Sequence, residues 1–340
     1  EQLANDIPDV DECDPVEPSA TVLEARAHEA EAAARDVPGV TNSEGAEAGW
    51  SRSRVAIAAS NGFAKVRVRS SHSISAAVLA GEGTGMERDY DWASVVHGED
   101  LPDSAEIGRK AGENAVKRLN PKKISSAQVP VIYDPRVAQS ILTHLAGAVN
   151  GAAIARGTSF LKDRMDTSVF SDAITIVDDP LRPRGLRSKA FDGEGLATSR
   201  KNLIEDGTLT TWIMDLRSAR QLGLKSTANA ARGTSSPPSP ATTNLYMEPG
   251  SVSPAELIAD IKSGLYITGL MGQGANLITG DYSRGAEGFW IENGEIAYPV
   301  SELTIAGNLD TMFRSVIPAN DLIFRFGTNA PTLRIDGMTV

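Results

Sequence analysis

The chain of 340 residues has a single cysteine, Cys13. That excludes an internal disulfide framework and any cysteine-rich zinc site. It also suits a reducing compartment, so a cytoplasmic location is the expectation. No run of 18 apolar residues occurs, so no membrane span is expected. Basic runs are equally scarce, and "NPKKI" at 120–124 is the densest. With a net charge of -11 and a pI near 5.0, the surface repels a phosphate backbone, which argues against direct nucleic-acid contact. The opening segment "EQLANDIPDVDECD" is acidic and has no signal-peptide pattern. It does not begin with Met, as expected of a processed, trimmed or incomplete chain. Histidine is also rare: His28, His72, His97 and His144 are all there are.

The rest of the composition is that of an ordinary globular protein, 41% hydrophobic and 23% charged, with length for about two domains. Residues 1–18 are acidic and proline-containing, so they are expected to be extended or poorly ordered. Ser19 or Thr21 should cap a helix through "TVLEARAHEAEAAARD", with His28 on its solvated surface. Alternating apolar and polar residues from about 48 to 95, with Asn61-Gly62 between them, predict a hairpin. His72 reads as an exposed residue of that sheet. An amphipathic helix follows over 104–119, then a linker, "NPKKISSAQ". This places an N-terminal α+β domain over 1–125.

Residues 126–340 read as a β-rich domain with one long buried helix near 135–155. "VPVIYDP" predicts a short buried strand ending in a proline-fixed turn. Asp206-Gly207 and Asn293-Gly294 predict two more hairpins. "GTSSPPSP" at 233–240 is too proline-rich for a ladder. "SPAELIADIKSG" carries a capping box, with Ser253 as N-cap, Pro254 at the first turn, Glu256 at N3 and Gly264 at the end. The fold class is therefore α+β.

The helix around "ILTHLAGAVNG" (141–151) is the stretch that bears on chemistry. A zinc peptidase needs two imidazoles on a helix and a carboxylate beside the metal water. Here His144 is followed by Leu145, and Ala148 and Val149 stand four and five positions on. Leucine and valine neither bind a cation nor move a proton. His144 thus reads as a satisfied core or interface histidine, and no catalytic or metal-binding residue is assigned. Ala146, Gly147, Ala148, Gly151, Ala152 and Ala153 give a nearly side-chain-free face that another backbone could approach closely.

This hexamer, "HLAGAV", resembles the TldD/PmbA family, also called modulator of DNA gyrase proteins. So do "TTNLYMEPG" (242–250), the segment 269–313 from "GLMGQGANLITGDYSRG" to "GNLDTMF", and the closing "PTLRIDGMTV". Family members of the TldD type carry H-E-x-x-x-H and a later cysteine; PmbA (TldE-type) members lack the motif. Here Leu145 replaces the Glu and Val149 the second His, and no cysteine follows Cys13. The resemblance therefore implies the TldE-type branch with a shortened N-terminal part. It implies a cytosolic subunit without zinc that pairs with a TldD-type subunit supplying zinc, ligands and general base. Together they would form a metallopeptidase for unfolded or modified peptides, active in proteolysis and peptide maturation. This chain would supply architecture and chamber wall, with a homodimer as an option when it is alone.

Six other residues stand out. In "TGDYSRGAEGFW", Asp281, Tyr282, Ser283 and Arg284 suggest a peptide-binding loop with Arg284 on a substrate carboxylate. The alternative is a plain turn in which Asp281 and Ser283 hold backbone amides. Asn244 and Tyr246 suggest an edge strand that pairs with peptide; the alternative is an internal strand. Gly272, Gln273 and Gly274 lack the Lys-Ser/Thr of a phosphate loop. Two other functions stay open: a scaffold acting on DNA gyrase without peptidase work, and a self-sufficient metallopeptidase joining His144 to carboxylates such as Asp163 or Asp166.

Overall fold

The computed structural model describes residues 3–340. The first unit is built from α1 (Ala20–Arg35), β1 (Val40–Ala58), β2 (Ala64–Ala80), β3 (Glu87–Val95) and α2 (Ser104–Lys117). The three strands form an antiparallel sheet in sequence order. Ser19 caps α1 by accepting from the Val22 amide. The Asn61-Gly62 turn joins two strands of 19 and 17 residues. Only residues 72–80 of β2 pair with β3, so the far half of the hairpin projects as a two-stranded arm.

Both helices cover one face of this sheet, with Ala30, Ala34, Ile74, Ile107 and Ala111 in the apolar core between them. Small residues set how close the helices come. A Cβ on Gly108 would fall 1.9 Å from the Ala30 carbonyl oxygen, and one on Gly112 2.8 Å from that of Ala34.

The acidic opening segment does not lie loose. It is extended, but Ala4, Val10 and Asp14 are buried along it. Ala4 donates to the Gly195 carbonyl, and the Ser70 amide donates to that of Glu12. Three of its carboxylates are held by basic side chains. Arg184 holds Asp11, Arg67 holds Glu12, and His72 faces Asp14 at 2.9 Å. His72 is consequently 2% exposed rather than solvated as its serine neighbours suggested. His28 is exposed, as expected.

The second unit opens with β4 (Gln128–Tyr133), α3 (Pro135–Ala148) and α4 (Gly151–Ala155). Pro135 does not fix a turn; it is the first residue of α3, behind the N-cap Asp134. The single long helix expected over 135–155 is two helices. The Asn150 side chain accepts from the Ala152 amide and starts a new one, so capping chemistry overrides the small-residue run. At Gly151 the close approach is real, since a Cβ there would lie 2.9 Å from the Ile213 carbonyl oxygen. At Gly147 the neighbour is a side chain, Leu277.

Then come β5 (Ile176–Asp178), β6 (Lys201–Glu205), β7 (Thr208–Leu209), α5 (Leu216–Leu222), β8 (Ala230–Ala231), β9 (Ser239–Pro240) and β10 (Leu245–Met247). β9 pairs with β8, so Pro240 does enter a short ladder. They are followed by α6 (Pro254–Ile258), β11 (Ser263–Met271), β12 (Asp281–Glu292), β13 (Glu295–Asn308), α7 (Leu309–Ser315), β14 (Ile317–Pro318), β15 (Thr328–Asn329) and β16 (Leu333–Thr339). The capping box of α6 forms as expected, but Gly264 lies in β11 and the helix stops at Ile258.

Asp206-Gly207 and Asn293-Gly294 both carry positive φ at the two turn positions, the geometry of two-residue hairpin turns. A five-stranded sheet runs β15-β10-β5-β6-β7, and a six-stranded one β13-β12-β11-β4-β16-β14. Pairing of Ala306 with Thr339 closes the latter into a barrel. The class is α+β, with separate apolar cores in the two units. Among the described residues no helix is long and apolar enough to cross a membrane.

Candidate functional site

α3 is two-faced. Ala138, Ile141, Leu142, Leu145 and Ala148 recur at helical spacing and are fully buried in the main core. The other stripe, Arg136, Gln139, Ser140, Thr143 and His144, lines a cleft of about 490 Å³. Across it stand β3 with Asp89 and Tyr90, and Arg118, the C-cap of α2. β11 and β12 complete the wall with Thr268, Arg284 and Glu287. The cleft thus lies between the two units.

Ion pairs fix its width. Arg136 donates to Asp89 at 2.8 Å and stacks over Tyr90. Arg118 makes a two-pronged contact with Glu287 and lies within 3.5 Å of Asp89 and 3.4 Å of Glu87. Glu287 can lie there because residue 269 is glycine: a Cβ would meet its carboxylate at 2.2 Å. Neighbouring carboxylates hold both guanidinium pKa values above the ordinary range against the burial that would lower them.

Deeper in, the polar atoms are unmatched. Ser140 Oγ, His144 Nε2, Thr268 Oγ1 and Arg284 Nε are enclosed, yet none has a hydrogen-bond partner among the described residues. Arg284 forms no ion pair among the described residues; its guanidinium is answered only by the neutral Tyr282 hydroxyl. The His144 ring meets Tyr282 edge-on at 5.7 Å, and Tyr282 in turn approaches Tyr133 hydroxyl to hydroxyl at 3.5 Å. Burial first, and then the Arg284 charge, push the His144 pKa down to about 4. The imidazole is therefore neutral at physiological pH; where a satisfied core or interface histidine was expected, it is half-buried at the cleft with Nε2 unpartnered among the described residues.

The residues singled out in the sequence scatter. Leu145 and Val149 are closed into the core, on the side of α3 away from the cleft. The stretch from Asp281 to Arg284 is not a turn but the start of β12, paired with β13. Tyr282 is buried, Asp281 and Ser283 are exposed, and Arg284 reaches the cleft. Asp281 accepts from the Thr279 hydroxyl at 2.6 Å. Asn244 is spent internally, bonding the Arg187 amide, the Asp179 carbonyl and the Ser188 hydroxyl, each at 2.8 Å. Tyr246 sits on β10 between β15 and β5, so that strand offers a peptide no free edge.

Asp163 and Asp166 are exposed on the segment after α4 and do not line the cleft. Among the described residues no three His, Cys, Asp or Glu side chains gather as a metal would require. The surroundings of His144 do not fit zinc: no other imidazole lines the cleft among the described residues, its carboxylates Asp89 and Glu287 are taken up by Arg136 and Arg118, and the Arg284 charge felt by the ring opposes a divalent cation.

Sequence reading missed Arg118, Arg136, Asp89, Ser140, Thr268 and Glu287. Two signals were there to find: polar residues at 136, 140 and 144, one helical face, and acids at 87, 89 and 91, one face of a strand.

Family comparison covers both units. The family model for the PmbA/TldA metallopeptidase central domain matches residues 7–119, and that for the C-terminal domain matches 126–340. The chain is 37% identical over 342 residues to Metalloprotease PmbA of Escherichia coli O157:H7, covering 100% of this chain and 74% of that protein. It is 35% identical over 283 residues to the Metalloprotease PmbA homolog of Haemophilus influenzae, covering 83% of this chain and 61% of that one, less than two thirds of its length. The backbone follows a modulator of DNA gyrase from Bacteroides thetaiotaomicron with a TM-score of 0.88 at 30% identity, over 98% of this chain and 74% of that one. TldE from Thermococcus kodakarensis, at 22% identity and a TM-score of 0.85 over 95% of this chain and 74% of that one, shares the fold. Matched through both units in sequence, and along nearly its whole length in backbone, the chain belongs to the PmbA/TldD metallopeptidase family.

Proposed function

We propose that this chain is the TldE-type subunit of a heteromeric TldD/TldE metallopeptidase acting on unfolded or modified peptides. It binds no zinc itself; the TldD-type partner supplies the metal, its ligands and the general base. This chain contributes the frame and one wall of the substrate chamber, in the cytoplasm. One observation carries the reading. Of the three positions of the metal motif, only His144 faces a cleft, and it does so beside a guanidinium, while Leu145 and Val149 are core. Among the described residues no set of acids, histidines or cysteines gathers in the cleft as a metal would require, while its enclosed donors suit a peptide's oxygens.

The test is metal content by mass spectrometry, on the chain alone and mixed with a TldD-type subunit, with cleavage of casein-like peptides assayed on the same samples. Zinc and cleavage confined to the mixture support the reading. About one zinc per isolated chain, with cleavage, overturns it in favour of a self-sufficient peptidase. Tight association of the two without cleavage points instead to a scaffold, the role suggested by the name modulator of DNA gyrase.

A further inference from the structure

We propose that the deep end of the cleft is a carboxylate-binding subsite centred on Arg284. The inference rests on the reading of this cleft as chamber wall and names what it holds: the free C-terminal carboxylate of a peptide, or a small organic acid of the same chemistry.

Three observations converge. The first is the gathering of unmatched polar atoms. Ser140 and His144 come from α3, and Thr268 and Arg284 from the consecutive, paired strands β11 and β12, far along the chain from that helix. Each places an enclosed side-chain atom without a hydrogen-bond partner in one cleft. Burying such atoms costs free energy unless something answers them.

The second is charge. Arg118 and Arg136 are committed to Glu287 and Asp89. Arg284 alone has no carboxylate within ion-pair distance among the described residues. A guanidinium only donates, and both hydroxyls can donate, so the complementary ligand is rich in acceptors. The carboxylates of Asp89 and Glu287 line the same cleft and disfavour a multiply charged anion. A single negative charge on two coplanar oxygens matches one guanidinium fork.

The third is the backbone. The β11–β12 ladder is irregular between Ile267 and Gly269, and Thr268 is the residue left out of register. Such a bulge re-aims its side chain, here into the cleft.

The experiment uses the full chain without a partner and measures binding by calorimetry. The probes are an unstructured hexapeptide of small neutral residues with a free C-terminus, its C-terminal amide, and acetate. The acid peptide is expected to bind roughly tenfold more tightly than the amide. In Arg284→Met that ratio should fall to about one, and Arg284→Lys should restore part of it. Ser140→Ala and Thr268→Val, which remove little volume, should each lower the ratio with an unchanged melting temperature. Displacement of the peptide by acetate identifies a small-acid site; a preference that acetate leaves intact identifies a peptide terminus.

Equal binding of acid and amide, a ratio that survives in Arg284→Met, or no binding of any probe overturns the proposal. Because no cleavage is read, a mixture with a TldD-type subunit that never cleaves peptide would remove the proposed function and leave this site standing. The converse also holds.

Discussion

Arg136, one residue into α3, donates to Asp89 of β3 at 2.8 Å, joining the two units through a carboxylate that is 3% exposed. β3 repeats the arrangement. Asp91 takes Arg325 at 2.8 Å, and Glu87 faces Arg118, which also grips Glu287. Alternate residues of one strand thus carry a row of acids to a row of arginines.

Asp89→Asn should therefore destabilise the chain strongly. The loss leaves two mostly buried guanidinium groups short of a counter-charge, and breaking a buried pair in this way costs about 3–5 kcal/mol. A urea midpoint equal to that of the unaltered chain would show that the pair is dispensable.

Gly108→Ala tests the helix crossing. The added methyl would meet the Ala30 carbonyl at 1.9 Å, and backbone cannot step aside as a flexible side chain would. A loss of about 1–3 kcal/mol is expected. Gly85→Ala, whose Cβ would meet nothing within 4 Å, is the control. Equal denaturation curves for the two variants would refute the close crossing.

The His144 ring should remain neutral down to about pH 4, read as the midpoint of its Cε1 proton shift by NMR. Arg284→Met should move that midpoint upward, since it removes one of the two causes. The sign of the linkage follows. The folded pKa lies below the ordinary value of 6.5, so the unfolded chain binds the proton first. The contribution is complete above about pH 6.5 and is lost as pH falls toward 4. His144→Asn should flatten that part of the stability profile, and a profile unchanged by the substitution would contradict it.

Asp14→Ala should release the opening strap. Its carboxylate faces His72 and accepts from the Gly98 and Val16 amides at 2.8 Å. Faster amide exchange at Ser70, whose N–H bonds the Glu12 carbonyl, is the expected readout. Unchanged exchange there would mean that Arg67 and Arg184 suffice.

Local chemistry was the legible part of this protein. Asn-Gly and Asp-Gly turns, the Ser19 cap and the Ser253–Glu256 box each act within a few residues, so the sequence displays cause and effect together. What stayed hidden depends on distant partners. His72 looks solvated until Asp14, 58 positions away, folds over it, and "TGDYSRG" looks like a turn until β13 pairs with it. The cleft needed β3, α3, β11 and β12 at once. The break at Asn150 was readable as an N-cap, but the run of small residues on both sides masked it.

The projecting arm of β1 and β2 has a mechanical consequence. Near its tip Phe63 packs against Phe191 of the second unit at 5.1 Å, in space left by the missing side chain of Gly195. The first unit is therefore fastened at well-separated places, among them the acid–arginine row at β3, the Arg184–Asp11 pair and this aromatic clamp. A body pinned in this way cannot swing about a single tether. The gap between the units behaves as a fixed aperture, and whatever enters is sorted by fit at the rim, not by a jaw closing on it.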